Sequence, residues 1–284
     1  MPATAAELIG LADRWLQRNR SQRHLPRTLY LVGGLSDETG ACFDRLAALG
    51  RQTFDNWDEY ATRVNFPISN DFPVESARAG DPMRTFLDFG DYLRELIGQK
   101  YPDNASNVGE FDVVAHSMGG LDAFAALTPV PSGATRPVDP PQLARAFNFI
   151  ACDTPFRGIP SADLRAAQPD MEIGHRRDQC NAIAINSPQL ALLGTRIREF
   201  TARVERLKCI AADTAIYVEV PLNSSNLLAD TASFSSRDDW QRTRERLRYR
   251  AALIPGSVHS GGNGLTTSSI GIVEVFTTLL AEQW

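Results

Sequence analysis

Only four cysteines and four histidines occur in the 284 residues, and no apolar run approaches the roughly 20 residues that span a bilayer. Cys42, Cys152, Cys180 and Cys209 stand far apart without metal-ligand spacing, so no metal is expected and nothing demands a disulfide. Cys152 and Cys209 lie in apolar runs and are expected as small core residues. Charge is also modest. A formal net charge of −5 gives no reason to expect nucleic acid or an anionic membrane surface as partner. The Arg242–Arg246 run is interleaved with an acid and reads as a solvated helix face. No cleavable leader is expected either: residues 4–18 read as amphipathic, with Leu8, Leu11, Trp15 and Leu16 on one face. The expectation is a cytoplasmic protein, or one exported without a cleaved signal peptide.

What is present is a globular composition, 43% hydrophobic, at a length that fits one large α/β domain. Strand-like and helix-like segments alternate, which predicts a mostly parallel sheet flanked by helices. Strands are expected at Thr28–Val32, Ala61–Ile68, the run ending at His116, Ala146–Cys152, Leu207–Ala212 and Ala251–Pro255. Helices are expected near Ala41–Leu49, at Met83–Ile97 ending at Gly98, at Leu121–Leu127, Ser187–Phe200 and Asp238–Tyr249, and at Ile270–Leu280. Residues 129–141 are proline-rich and read as an irregular excursion, and 156–200 fit the alternation poorly. That stretch is expected to be a cap inserted into a single domain spanning 1–284.

The most informative segment is Phe111-Asp112-Val113-Val114-Ala115-His116-Ser117-Met118-Gly119-Gly120. An apolar run ends at a serine flanked by small residues, and a helix pattern follows at once. A sharp strand-to-helix turn strains its central residue and brings backbone close, so the positions two before and two after must be small. Ala115 and Gly119 meet that demand. The turn lifts the Ser117 hydroxyl clear of the sheet, as a nucleophile requires.

Such a serine needs a base, and the base an anionic orienter. Of the four histidines, His24 precedes the first strand, His175 lies among charges, and His116 neighbours the serine in an orienting or packing part. His259 follows the last strand in a small-residue loop, where open parallel sheets gather their reactive groups, and it is the expected base. Three aspartates compete for the acid. Asp230 is preferred over Asp213, and Asp153 comes third. The N–H groups of Met118 and of Leu35, after Gly33-Gly34, are the expected oxyanion donors.

Taken together these segments resemble lipases and esterases of the α/β-hydrolase superfamily. Ala115–Gly120 is similar to the alanine-variant elbow of small bacterial triacylglycerol lipases. Val32-Gly33-Gly34-Leu35 resembles their His-Gly-Leu oxyanion segment, with Gly33 at the histidine. Thr154-Pro155-Phe156-Arg157-Gly158 resembles a Thr-Pro-His-Arg-Gly stretch shared with PGAP-like deacylases. Asp230 to Ser236 looks like the segment holding the acid, with Thr231 and Ser233 in place of its Gly and Val, and Val258-His259-Ser260-Gly261 resembles the lipase His-Ser-Gly segment. The resemblance implies an α/β-hydrolase fold and a carboxylic-ester hydrolase acting through Ser117, Asp230 and His259. It implies a small-molecule or lipid ester substrate, an apolar acyl site in the cap, and no metal or organic cofactor. An acyltransferase or thioesterase would use the same residues, and a silent binding module is the reading from another class.

Overall fold

The computed structural model describes residues 4–35, 37, 40–66, 85–101, 109–128, 144–156, 158–159, 175–185, 187–214, 248–259, 261–262 and 264–281. Six strands form one sheet: β1 (Thr28–Val32), β2 (Ala61–Arg63), β3 (Gly109–His116), β4 (Ala144–Cys152), β5 (Val204–Thr214) and β6 (Arg248–Val258). Their order is β2-β1-β3-β4-β5-β6, with every neighbouring pair parallel. The chain leaves β1 for one edge and returns to β1's other side at β3. β1 and β3 thus flank the point where the strand order reverses, the place in open α/β sheets where a crevice forms at the strand carboxyl ends.

A parallel sheet covered on both faces needs apolar residues at consecutive positions, and all five residues of β1 are buried. Side chains alternate between two cores. Tyr30, Val32, Phe111, Val113, Ala115, Phe149 and Leu207 join one, against α4 (Phe86–Lys100) and α5 (Gly119–Ala126). Leu29, Leu31, Val114, Ile150, Cys152, Ile210 and Ile254 join the other. That second face is covered by α1 (Ala5–Arg18), by α2 (Asp44–Thr53), which follows a 3₁₀ turn at Ala41–Phe43, by the single turn α3 (Trp57–Tyr60), and by α9 (Ser269–Leu280). Between β4 and β5 lie α6 (His175–Ile183), α7 (Pro188–Thr195) and α8 (Ile197–Ala202).

Several boundaries differ from expectation for local reasons. Gly98 does not end α4: the helix runs to Lys100, where the Tyr101 N–H still reaches the Ile97 carbonyl. The 187–200 helix is two helices, because the chain leaves helical geometry at Arg196 (φ −105°, ψ 11°), just past Gly194. The edge strand β2 stops at Arg63. In α1 the buried residues are Ala12 and Leu16, while Leu11 is 54% exposed. The four cysteines form no disulfide, and Cys152, Cys180 and Cys209 are buried.

α5 matters most for the site, and a buried arginine from α4 fixes its far end. Arg94 donates from Nη2 to the Ala125 and Thr128 carbonyls, both at 2.6 Å, and from Nε to Ala126 O at 3.1 Å. These are carbonyls at and just past the end of α5, where the i→i+4 ladder runs out; Ala125 O also accepts from Thr128 N at 3.2 Å.

Candidate functional site

β3 ends at His116 and α5 begins at Gly119, so the reversal happens over two residues. Ser117 takes φ 54°, one of three non-glycine residues with positive φ among the described residues. That conformation costs about 1–3 kcal/mol and persists only where the surroundings impose it. They do so on three sides. The Ser117 N–H donates to Cys152 O at 2.8 Å, on the neighbouring strand. A Cβ on Gly119 would lie 2.3 Å from Gly33 O and 2.4 Å from Val32 O, and one on Gly120 would lie 1.9 Å from Thr154 Oγ1. Ala115 is fully buried.

The loop after β1 approaches from the crevice side. A Cβ on Gly34 would sit 2.7 Å from Ser117 Cβ and 3.3 Å from Ser117 Oγ. Asp37 pins this loop: its N–H donates to Gly34 O at 3.0 Å, and its carboxylate accepts from the N–H groups of Ala41 (2.6 Å) and Cys42 (3.0 Å). Leu35 follows Gly34 and is half-buried, while Met118 is buried at the N-cap of α5. Of the N–H groups that open α5, those of Gly120 and Leu121 donate to Ser117 O at 3.1 Å and Met118 O at 2.7 Å, which closes the turn tightly around the serine.

His259 comes from the far edge. β6 lies three strands from β3, roughly 14 Å at the usual strand spacing, so the chain after Val258 must reach back across the ends of β5 and β4. A tight turn supports that path: Gly261 has φ 87°, its carbonyl accepts from Gly264 N at 2.9 Å, and Val258 bridges to Gly264. His259 Nε2 lies 3.1 Å from Ser117 Oγ, and His259 Nδ1 lies 3.3 Å from Asp153 Oδ2. Since the carboxylate can only accept, the proton belongs on Nδ1, which leaves Nε2 to accept from the hydroxyl. Ser117 and His259 are 7% and 9% exposed, so this chain of contacts is nearly dry.

The carboxylate beside His259 is that of Asp153, third of the three expected candidates. Asp153 follows β4 at once, with φ 47°, and its second oxygen accepts from Ala212 N on β5 at 2.9 Å. β4 lies between β3 and β5, so its end is adjacent to Ser117 and on the path of His259. Asp230 lies outside the described residues, and Asp213 is the penultimate residue of β5. The usable signal was the placement of Asp153 at the end of the strand expected next after the serine. His116, expected to orient or pack, lies against His259: ring centroids are 4.8 Å apart with the planes tilted by 36°, and its Nε2 lies 2.8 Å from His259 O. His24 pairs with Asp55 at 2.8 Å before β1.

From the 156–200 stretch, Phe156, Ile159, Ile183, Leu190, Leu193 and Phe200 are all buried in the first core. Phe200 stacks on Phe124 of α5 with centroids 4.0 Å apart. Among the described residues no cluster of three or more His, Cys, Asp or Glu is placed to hold a metal ion. No described helix is long and apolar enough to cross a membrane.

By sequence, no protein-family model and no curated protein matches the chain. Solved structures do resemble it. Phospholipase PlaB from Legionella pneumophila superposes with a TM-score of 0.54 in complex with thio-NAD and 0.52 without it, at 12% identity, over 90% of this chain. This chain spans 59% of PlaB's length. The peroxisomal alpha-beta-hydrolase Lpx1 from Saccharomyces cerevisiae is 15% identical, over 94% of this chain and 81% of that one, with a TM-score of 0.44. The strand order, the helices on both faces of the sheet and the likeness to PlaB agree: this chain has the α/β-hydrolase fold.

Proposed function

We propose that the protein is a serine hydrolase of carboxylic esters, with Asp153 in the part expected of Asp230. The observation that carries this reading is the continuous contact from Ser117 Oγ through both His259 ring nitrogens to Asp153. Ser117 attacks the acyl carbonyl as His259 Nε2 takes its proton, and the resulting imidazolium is held by Asp153. The N–H groups of Leu35 and Met118 receive the oxyanion, each worth about 3–4 kcal/mol in the transition state. His259 then returns the proton to the departing alcohol. A water activated by the same imidazole releases the acid. The stretch at about 156–200 serves as a cap on the single domain. That the fold is shared with a phospholipase agrees with an ester substrate.

The test is direct. Ser117→Ala is expected to abolish labelling by a fluorophosphonate and to lower p-nitrophenyl ester turnover by about 10⁴-fold or more. Labelling that persists in the variant refutes the assignment.

A further inference from the structure

The imidazole of His259 reaches the serine from three strands away, and something must hold its backbone there. The hydrogen bonds to Ser117 and Asp153 are made by the ring. Its carbonyl faces the end of β3, where His116 Nε2 lies 2.8 Å from it. A carbonyl can only accept, so His116 carries its proton on Nε2. His116 itself is 5% exposed and belongs to the rigid end of β3, paired through Cys152 with β4. Burial first, and then the neighbouring His259 ring, push its pKa down to about 4, against the opposing pull of the hydrogen bond to the His259 carbonyl and of Asp153 and Asp37. A neutral ring also adds no positive charge 4.8 Å from the imidazolium that forms during the reaction.

We propose that His116 is a positioning residue: its Nε2–H clamps the backbone carbonyl of His259 to the end of β3 and so keeps the imidazole over Ser117. The inference rests on the ester-hydrolase reading and assigns to the residue before the nucleophile a part separate from the turn itself. Without the clamp the backbone at residue 259 loses its tie to β3, and a misplacement of about 1 Å costs on the order of 10² in rate.

Two variants separate the clamp from mere packing. His116→Phe keeps a flat ring against His259 but has no donor, whereas His116→Gln carries an amide N–H of similar reach. His116→Phe is expected to lower kcat on p-nitrophenyl acetate about 10- to 100-fold with KM unchanged. His116→Gln is expected to return to within about threefold of the parent, with both unfolding midpoints retained. Wild-type kcat in His116→Phe, or equal impairment in a folded His116→Gln, overturns the clamp while leaving the hydrolase reading intact. A second measurement needs no activity and no variant. Long-range ¹H–¹⁵N imidazole spectra of the parent protein are expected to show His116 protonated on Nε2, and an Nδ1-protonated tautomer overturns the proposal. A parent protein inert to every ester and fluorophosphonate would refute ester hydrolysis, and the tautomer would still decide the clamp.

Discussion

The two ends of the sheet are built on opposite principles. At the amino ends of the strands, charges share partners. Arg27 and Arg145 both bind Glu110, Arg145 also binds Glu205, and Glu205 has Arg248 at 3.9 Å. Arg27 and Arg206 lie over the Phe147 ring, at 3.4 and 4.4 Å from its centroid, beside the register shift in the β3–β4 pairing. At the carboxyl ends, among the described residues, one serine, one imidazole and one carboxylate make a single file, and two of the three sit at strained positive φ. A network of partly exposed ion pairs tolerates the loss of a member because each pair contributes little. A single file does not, since each link fixes the geometry of the next.

The largest expected effect follows from breaking the file. Asp153→Asn is expected to lower kcat about 10⁴-fold by leaving His259 in the wrong tautomer, while Asp230→Asn stays near the parent. Steady-state ester hydrolysis by the two variants checks this, and the reverse pattern returns the acid to Asp230.

A buried carboxyl at the amino end sharpens the comparison. Asp112 is fully buried, with one oxygen accepting from the backbone and side chain of Asn148 and the other 4.0 Å from Arg27. Burial raises its pKa to about 7, though Arg27 and Asn148 pull the other way. A carboxyl whose pKa is raised by folding favours the folded state in full below its ordinary value. That stability is lost as pH rises through the folded value. Asp112→Asn escapes the loss, so it is expected to be more stable than the parent at pH 8 by about 2 kcal/mol and much less so at pH 5. Urea unfolding at the two pH values measures the difference, and an equal gain at both would exclude the titration of Asp112 as its source.

The smallest effect belongs to the shared network. Arg248 is 57% exposed and its pair with Glu205 spans 3.9 Å. Arg248→Ala is expected to shift stability by less than about 0.5 kcal/mol. A larger loss in thermal unfolding would show that the amino end also depends on single contacts.

Most of the sheet was legible because strand burial is a short-range pattern. Runs such as Thr28–Val32 and Val113–Ala115 are mostly apolar and buried at every position, as a doubly covered strand requires. Lengths were less legible. The extension of α4 past Gly98 and the break at Arg196 depend on what packs around them, such as Tyr101 stacked on Phe111. In the site, the small residues around Ser117 could be read from local sterics alone. The partner of His259 Nδ1 could not, because aspartates at three chain positions met the same local criterion.

The sequence by itself determined the alternation of strands and helices, and the residue sizes that a tight reversal at Ser117 tolerates. Both are decided by atoms a few positions apart in the chain. Tertiary structure alone decided which carboxylate faces His259 and what His116 holds. Those contacts depend on strand order: β4 lies beside β3 and puts Asp153 at the crevice, while β6 lies three strands away and makes the His259 backbone reach across. Proximity between residues more than a hundred positions apart is set by the packing of the whole sheet.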